Sequence, residues 1–69
     1  MPIEVDARGM RCPWPVLRLA RAVREAGDGA RFRVRADDPA APRELAALAA
    51  ERGWRITTLV EESAFEIQT

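Results

Sequence analysis

Arg8-Gly9-Met10-Arg11-Cys12-Pro13-Trp14-Pro15-Val16 sets a turn, the only cysteine of the chain and two prolines directly ahead of a run with helical apolar spacing. The stretch marks a change from strand to helix. Proline costs no intrahelical hydrogen bond in the first turn, and its fixed φ suits a helix start. With Cys12 as N-cap, Pro13 falls at N1, Trp14 at N2 and Pro15 at N3, and Trp14 keeps a free N–H that can point at the sulfur. The first N–H groups of a helix lack intrahelical partners and the dipole is positive there. Together with the charge of Arg11, such surroundings can lower a cysteine pKa by roughly one to a few units. The expectation is a thiol that is nucleophilic near neutral pH. The competing reading is a half-buried structural cysteine that caps the helix.

On the N-terminal side, Ile3-Glu4-Val5-Asp6 alternates apolar and polar residues, the pattern of a strand with one buried face, and Ala7-Arg8-Gly9 is a turn. On the C-terminal side, Pro13 to Ala26 reads as a helix. Val16, Leu19, Ala20 and Val23 share one stripe, Leu17 widens it, and Arg18, Arg21, Arg24 and Glu25 lie mainly off it. Gly27-Asp28-Gly29 ends the helix, with Gly27 suited to a left-handed position. Ala30 to Ala36 alternates most strictly, setting Phe32 and Val34 toward a core and Arg31, Arg33 and Arg35 away from it.

Asp37-Asp38-Pro39-Ala40-Ala41-Pro42 breaks that strand and leads to a second helix, which buries Leu45, Leu48 and Ala49, with the Arg52 stem a further candidate, and ends at Gly53. Asp37 and Asp38 are turn and helix-cap candidates there; if the helix instead begins at Pro42, Ala41 is a poor cap. Trp54 to Val60 is β-prone, Glu61-Glu62-Ser63 turns, and Ala64-Phe65-Glu66-Ile67-Gln68 is a last strand. The order β-α-β-α-β-β, with at most one buried face per strand, predicts an α/β two-layer sandwich: a four-stranded mixed sheet with two helices on one face.

Sixty-nine residues make one domain. At this size folding buries only about 60% of the unfolded surface, so any site is shallow. One cysteine permits no internal disulfide, and the absence of histidine removes imidazole bases and the usual zinc sets, so neither a metal nor a cofactor is expected. The chain shows no signal-peptide pattern and no apolar run approaching the ~20 residues of a membrane span, and a lone thiol fits the reducing cytosol. Eleven basic residues, all arginine, balance eleven acidic ones, which does not favour direct nucleic-acid binding. Nothing in the pattern demands an oligomer, so a monomer is expected.

The strand, Gly9-Met10-Arg11-Cys12-Pro13-x-Pro15 at a helix start, and Ala36-Asp37-Asp38-Pro39 ahead of the second helix together resemble the TusA-like (SirA-like) sulfurtransferases over nearly the whole chain. The resemblance implies a fold similar to the C-terminal domain of translation initiation factor three. It also implies a single sulfur-carrier domain over residues 1–69 that acts as a sulfurtransferase through a persulfide relay. Cys12 would then be the catalytic persulfide site, Pro13 and Pro15 its rigid platform with Gly9 and Arg11 in support, and Asp37 and Asp38 a nearby acidic element. The implied partners are a sulfur donor, either a cysteine desulfurase or a rhodanese-like protein, and an acceptor in tRNA thiolation, molybdenum-cofactor biosynthesis or sulfur metabolism. Such a carrier needs an exposed thiol and no base of its own. Without a second cysteine, a partner must discharge it.

Trp14 stands where some family members carry glutamate. An exposed tryptophan there would anchor a transient interface, and a covered one would seal the core edge. Asp37 and Asp38 could also bind the cysteine loop or a partner's arginine. Trp54 replaces a histidine associated with that stretch of the family and reads as core. Arg31, Arg33 and Arg35 read as cross-strand partners of Glu66 or Glu4. The alternative function is a non-catalytic regulatory or RNA-binding module that uses this arginine-lined sheet face. A third is a thiol redox switch.

Overall fold

The computed structural model describes residues 2–27 and 29–69. Seven elements follow in order: β1 (Ile3–Asp6), α1 (Trp14–Ala26), β2 (Arg31–Arg35), α2 (Ala41–Arg52), β3 (Arg55–Leu59), a 3₁₀ turn (Val60–Glu62) and β4 (Ala64–Gln68). The sheet order is β1-β2-β4-β3. β1 runs parallel to β2, while β4 is antiparallel to both β2 and β3, so the sheet is mixed and one face carries both helices, as expected.

The register explains the core. Val5, Val34 and Phe65 stand in one row across the sheet, and Phe32, Ile67 and Ile56 in the next. Alternation along each strand puts all of them on the covered face. Leu19 of α1 and Leu45 and Leu48 of α2 close over them, with Phe32, Leu19, Leu45, Ile67 and Val34 fully buried. Burial of each such side chain is worth about 1.5–3 kcal/mol. Trp54 packs against this core, as its sequence context suggested, and its ring lies under the Arg52 guanidinium, 5.7 Å from the centroid.

The open face is a charge ladder. Arg33 pairs with Glu66 at 3.0 Å and, more loosely, with Glu62 at 3.9 Å, and Arg35 pairs with Glu4 at 3.5 Å. Arg31 donates to the Gln68 side-chain oxygen at 3.4 Å. Cross-strand pairing accounts for the alternating arginines.

Several boundaries differ from expectation. Helix α1 starts at Trp14 with Pro13 as N-cap, so Cys12 is not the cap and lies one residue further out. Leu17 does not widen the buried stripe; it is 49% exposed. Gly27 has the positive φ anticipated, +85°, but with ψ 179° it is extended rather than left-handed α, a combination open in practice only to glycine. Asp28, part of the expected turn, lies outside the described residues, as does Met1. Helix α2 starts at Ala41, not Pro42, with Ala40 as N-cap and no side-chain cap from that residue. The third strand is shorter than its β-prone stretch, because Val60 already belongs to the 3₁₀ turn.

Candidate functional site

Because β1 and β2 are parallel, the loops that follow them leave the sheet at the same edge. The first carries Cys12 and the second Asp37 and Asp38. Pairing of the strands runs one step beyond β1, where the Ala7 N–H donates to the Arg35 carbonyl at 2.8 Å.

The two aspartates tie the loops together. The Gly9 N–H donates to an Asp37 carboxylate oxygen at 2.9 Å. Gly9 has φ +80°, a backbone conformation that a side chain would strain. The Cys12 N–H donates to one oxygen of Asp38, and the other oxygen accepts the Ala40 N–H at 3.3 Å. The Asp38 carbonyl accepts the Ala41 N–H at 2.9 Å. One residue therefore holds both the cysteine backbone and the start of α2. Asp38 anchors the loop and forms the turn that leads into α2 rather than capping a first-turn N–H, whereas Asp37 serves the loop. Hydrogen bonds to a charged acceptor contribute about 1.5–3 kcal/mol each, more than neutral ones.

Cys12 is exposed in a shallow depression with Gly9, Met10, Arg11, Asp38 and Pro39. The Cys12–Pro13 peptide bond is cis. Pro15 is buried beneath the loop, so the second proline seats the helix start on the core. Arg11 is exposed. Arg8 is engaged elsewhere: its guanidinium makes two 2.9 Å bonds to Asp6 and holds that carboxyl well below the usual carboxylate range.

The electrostatics of the thiol reverse the sequence expectation. The Trp14 N–H donates to the Arg11 carbonyl at 2.8 Å and is not free for the sulfur. With Cys12 set outside the helix cap, the dipole acts on it from further away. Partial desolvation, then the negative charges of Glu44 and Asp38 and hydrogen bonding to Glu44, push the Cys12 thiol above its ordinary value, and Arg43 opposes them. In the free protein these surroundings favour the neutral thiol over the thiolate.

Glu44 and Arg43 were not singled out from the sequence. The available signal was an acidic residue in the first turn of a helix that follows the neighbouring parallel strand. Such helices begin at the edge where ligands meet open α/β sheets.

Beside Cys12, Trp14 is 60% exposed and forms an apolar patch with Leu17. The patch borders a groove between β1 and α1 that also includes Met10, Arg18 and Arg21. Among the described residues there is no cluster of three or more histidine, cysteine or carboxylate side chains fit to hold a metal. No described helix is long and apolar enough to cross a membrane.

The sequence pattern of the family described as sulfurtransferase TusA matches residues 3–68. The chain belongs to the TusA sulfurtransferase family. A crystal structure of a SirA-like protein from Desulfitobacterium hafniense superposes on it with a TM-score of 0.80 and 29% sequence identity, covering 96% of this chain and 92% of that one. TusA proteins are sulfur carriers that work between donor and acceptor proteins.

Proposed function

We propose that this TusA-family protein carries sulfane sulfur as a persulfide on Cys12 and relays it between larger proteins. The observation that carries the reading is an exposed thiol on a loop whose backbone is clamped by Asp37 and Asp38. A relay thiol has to reach into a partner's site without collapsing onto its own surface, and the clamp holds it in place before docking.

The transfer is an exchange at sulfur. Cys12 Sγ, deprotonated to the thiolate, attacks the outer sulfur of a donor persulfide, an S–S bond forms, the donor's S–S bond breaks, and the donor's inner sulfur leaves as a thiolate, so one thiolate is consumed and one released. The same exchange runs outward when an acceptor thiol attacks the sulfur held on Cys12. No metal or cofactor takes part in either direction. With one cysteine in the chain, no internal thiol can discharge the persulfide, so delivery depends on the acceptor.

In this reading residues 1–69 form a single sulfur-carrier domain, working as a monomer in the cytosol. Pro13, Pro15, Gly9 and Arg11 support the thiol. Trp14, with Asp37 and Asp38, meets the partners. The donor is a desulfurase or rhodanese-like protein, and the acceptor belongs to tRNA thiolation, molybdenum-cofactor or sulfur metabolism. The arginine face of the sheet gives little support to an RNA-binding module, since Arg33 and Arg35 are committed to glutamates. The test is sulfur loading followed by intact mass, compared between the wild type and Cys12→Ser.

A further inference from the structure

Among the described residues, β1 pairs with β2 on one side and with no strand on the other, so it is an edge of the sheet. The Ala7 N–H is turned toward β2, where it meets the Arg35 carbonyl. Backbone groups alternate in direction along a strand, so those of Ile3 and Val5 also face β2, and the N–H and carbonyl groups of Glu4 and Asp6 face outward. Among the described residues, no loop or helix backbone bonds to them. Such an edge is a template for one more strand.

This edge borders a groove whose wall is α1. Val5, Met10, Trp14, Leu17 and Arg18 line it, and Ala22, a turn beyond Arg18 on the helix, is small enough to let a chain approach. Exposed apolar surface gathers here: Ile3 and Val60 are exposed along with Trp14 and Leu17, and of these only Val60 lies off β1 and α1. The acidic side chains of the groove are already engaged, Glu4 by Arg35, Asp6 by Arg8 and Glu25 by Arg21. Arg18 is exposed and has no ion-pair partner among the described residues. The groove therefore offers unpaired backbone, apolar side chains and an uncommitted positive charge.

We propose that the β1 edge and α1 receive an extended acidic segment of a partner protein, which adds to the sheet as a further strand. The outward backbone groups of Glu4 and Asp6 hold its main chain, and alternate side chains turned toward α1 give specificity. One of these is apolar and packs on Trp14 and Leu17; another is a carboxylate that pairs with Arg18. Because Trp14 opens α1, the seated segment reaches the loop that carries Cys12. The docking uses no chemistry of the thiol, so it stands or falls separately from the persulfide reading.

The probe is a short synthetic peptide of valine, leucine and glutamate, compared with the same peptide carrying arginine in place of glutamate. Binding is followed by amide NMR and amide hydrogen exchange on the isotope-labelled protein. The expected result is that the acidic peptide shifts the signals of β1 and α1 and slows exchange of the Glu4 and Asp6 amides, a protection that contact with α1 alone does not give. Glu4→Pro removes an outward N–H without touching the bonds to β2 and abolishes binding, whereas Glu4→Gln retains it. Arg18→Glu weakens binding by about fivefold or more, the upper range for an exposed ion pair. The arginine peptide does not bind. Absence of binding by the acidic peptide, equal binding by the arginine peptide, or binding that leaves the Glu4 and Asp6 amides exchanging freely overturns the proposal. Protection of those amides that grows with protein concentration in the absence of peptide assigns the edge to a second copy of the chain and overturns it as well.

Discussion

The backbone N–H of Cys12 donates to the carboxylate of Asp38, joining the loop ahead of α1 to the start of α2. Since the other oxygen of Asp38 accepts the Ala40 N–H, the cysteine loop and the turn into α2 share one side chain. Position of the thiol and stability of α2 are therefore linked.

Removing that side chain tests the link. Asp38→Ala leaves two backbone N–H groups without their charged acceptor and is expected to cost about 1–3 kcal/mol, within the range for lost caps and charged hydrogen bonds. Asp38→Asn keeps an oxygen acceptor and should cost about 1 kcal/mol or less. Urea unfolding measures both. A stability loss below about 0.5 kcal/mol in Asp38→Ala would show that the clamp contributes nothing beyond surface noise.

The charge around the sulfur gives a pH prediction. Desolvation and the carboxylates of Glu44 and Asp38 favour the neutral thiol, so deprotonation requires a higher pH. The midpoint of the alkylation rate against pH is expected above the ~8.5 of a free cysteine. In Asp38→Asn one of the opposing charges is gone, and the midpoint should move down. A wild-type midpoint below that of free cysteine would restore the helix-dipole expectation and contradict the observed placement of Cys12 outside the cap.

Trp14 separates docking from chemistry. At 60% exposure it gives up little buried area when truncated, so Trp14→Ala should change stability by less than about 1 kcal/mol. Loading by inorganic polysulfide should be unaffected. Transfer from a protein donor should weaken by about tenfold or more, as expected for an aromatic anchor in an interface. Equal loss with polysulfide and protein donor would place Trp14 in support of the loop instead.

The sheet's open face offers a contrast. Arg33 bonds Glu66 at 3.0 Å on a part-exposed surface, and such pairs contribute about 1 kcal/mol or less. Arg33→Gln should be tolerated in stability and sulfur loading alike. Phe32→Ala on the covered face should cost about 3–5 kcal/mol and leave little folded protein at this chain length. Thermal unfolding distinguishes the two, and a severe loss in Arg33→Gln would mean that the charge ladder holds the sheet together.

Much of the fold was legible because alternation is a strong signal over short strands. Ile3–Asp6 and Ala64–Gln68 were read with the bounds that form, and the arginine pairing followed from which face Phe32 and Val34 needed. Misreadings arose where local chemistry admits two geometries. Proline's fixed φ suits a turn as well as a first helical residue, so Pro13 became the N-cap and Cys12 moved out of the dipole's closest reach. Helical spacing indicated Leu17 as a neighbour of the stripe but not how wide a stripe this small sheet could cover. Glu44 escaped notice because its nearness to Cys12 is created only by packing two helix starts at one sheet edge. Asp37 and Asp38 were nominated from the sequence, and their division of labour became visible only with the loop in place.

The most direct test of the account is the intact mass of the reduced protein and of Cys12→Ser after exposure to a cysteine desulfurase with cysteine, and separately to polysulfide. One added sulfur has nearly the mass of two oxygens, so each adduct is also treated with dithiothreitol, which does not reverse a sulfinic acid. The account predicts a gain of one sulfur that dithiothreitol removes and that Cys12→Ser never acquires. An adduct that resists dithiothreitol, or the absence of an adduct from either source, would contradict it and leave Cys12 without a carrier role.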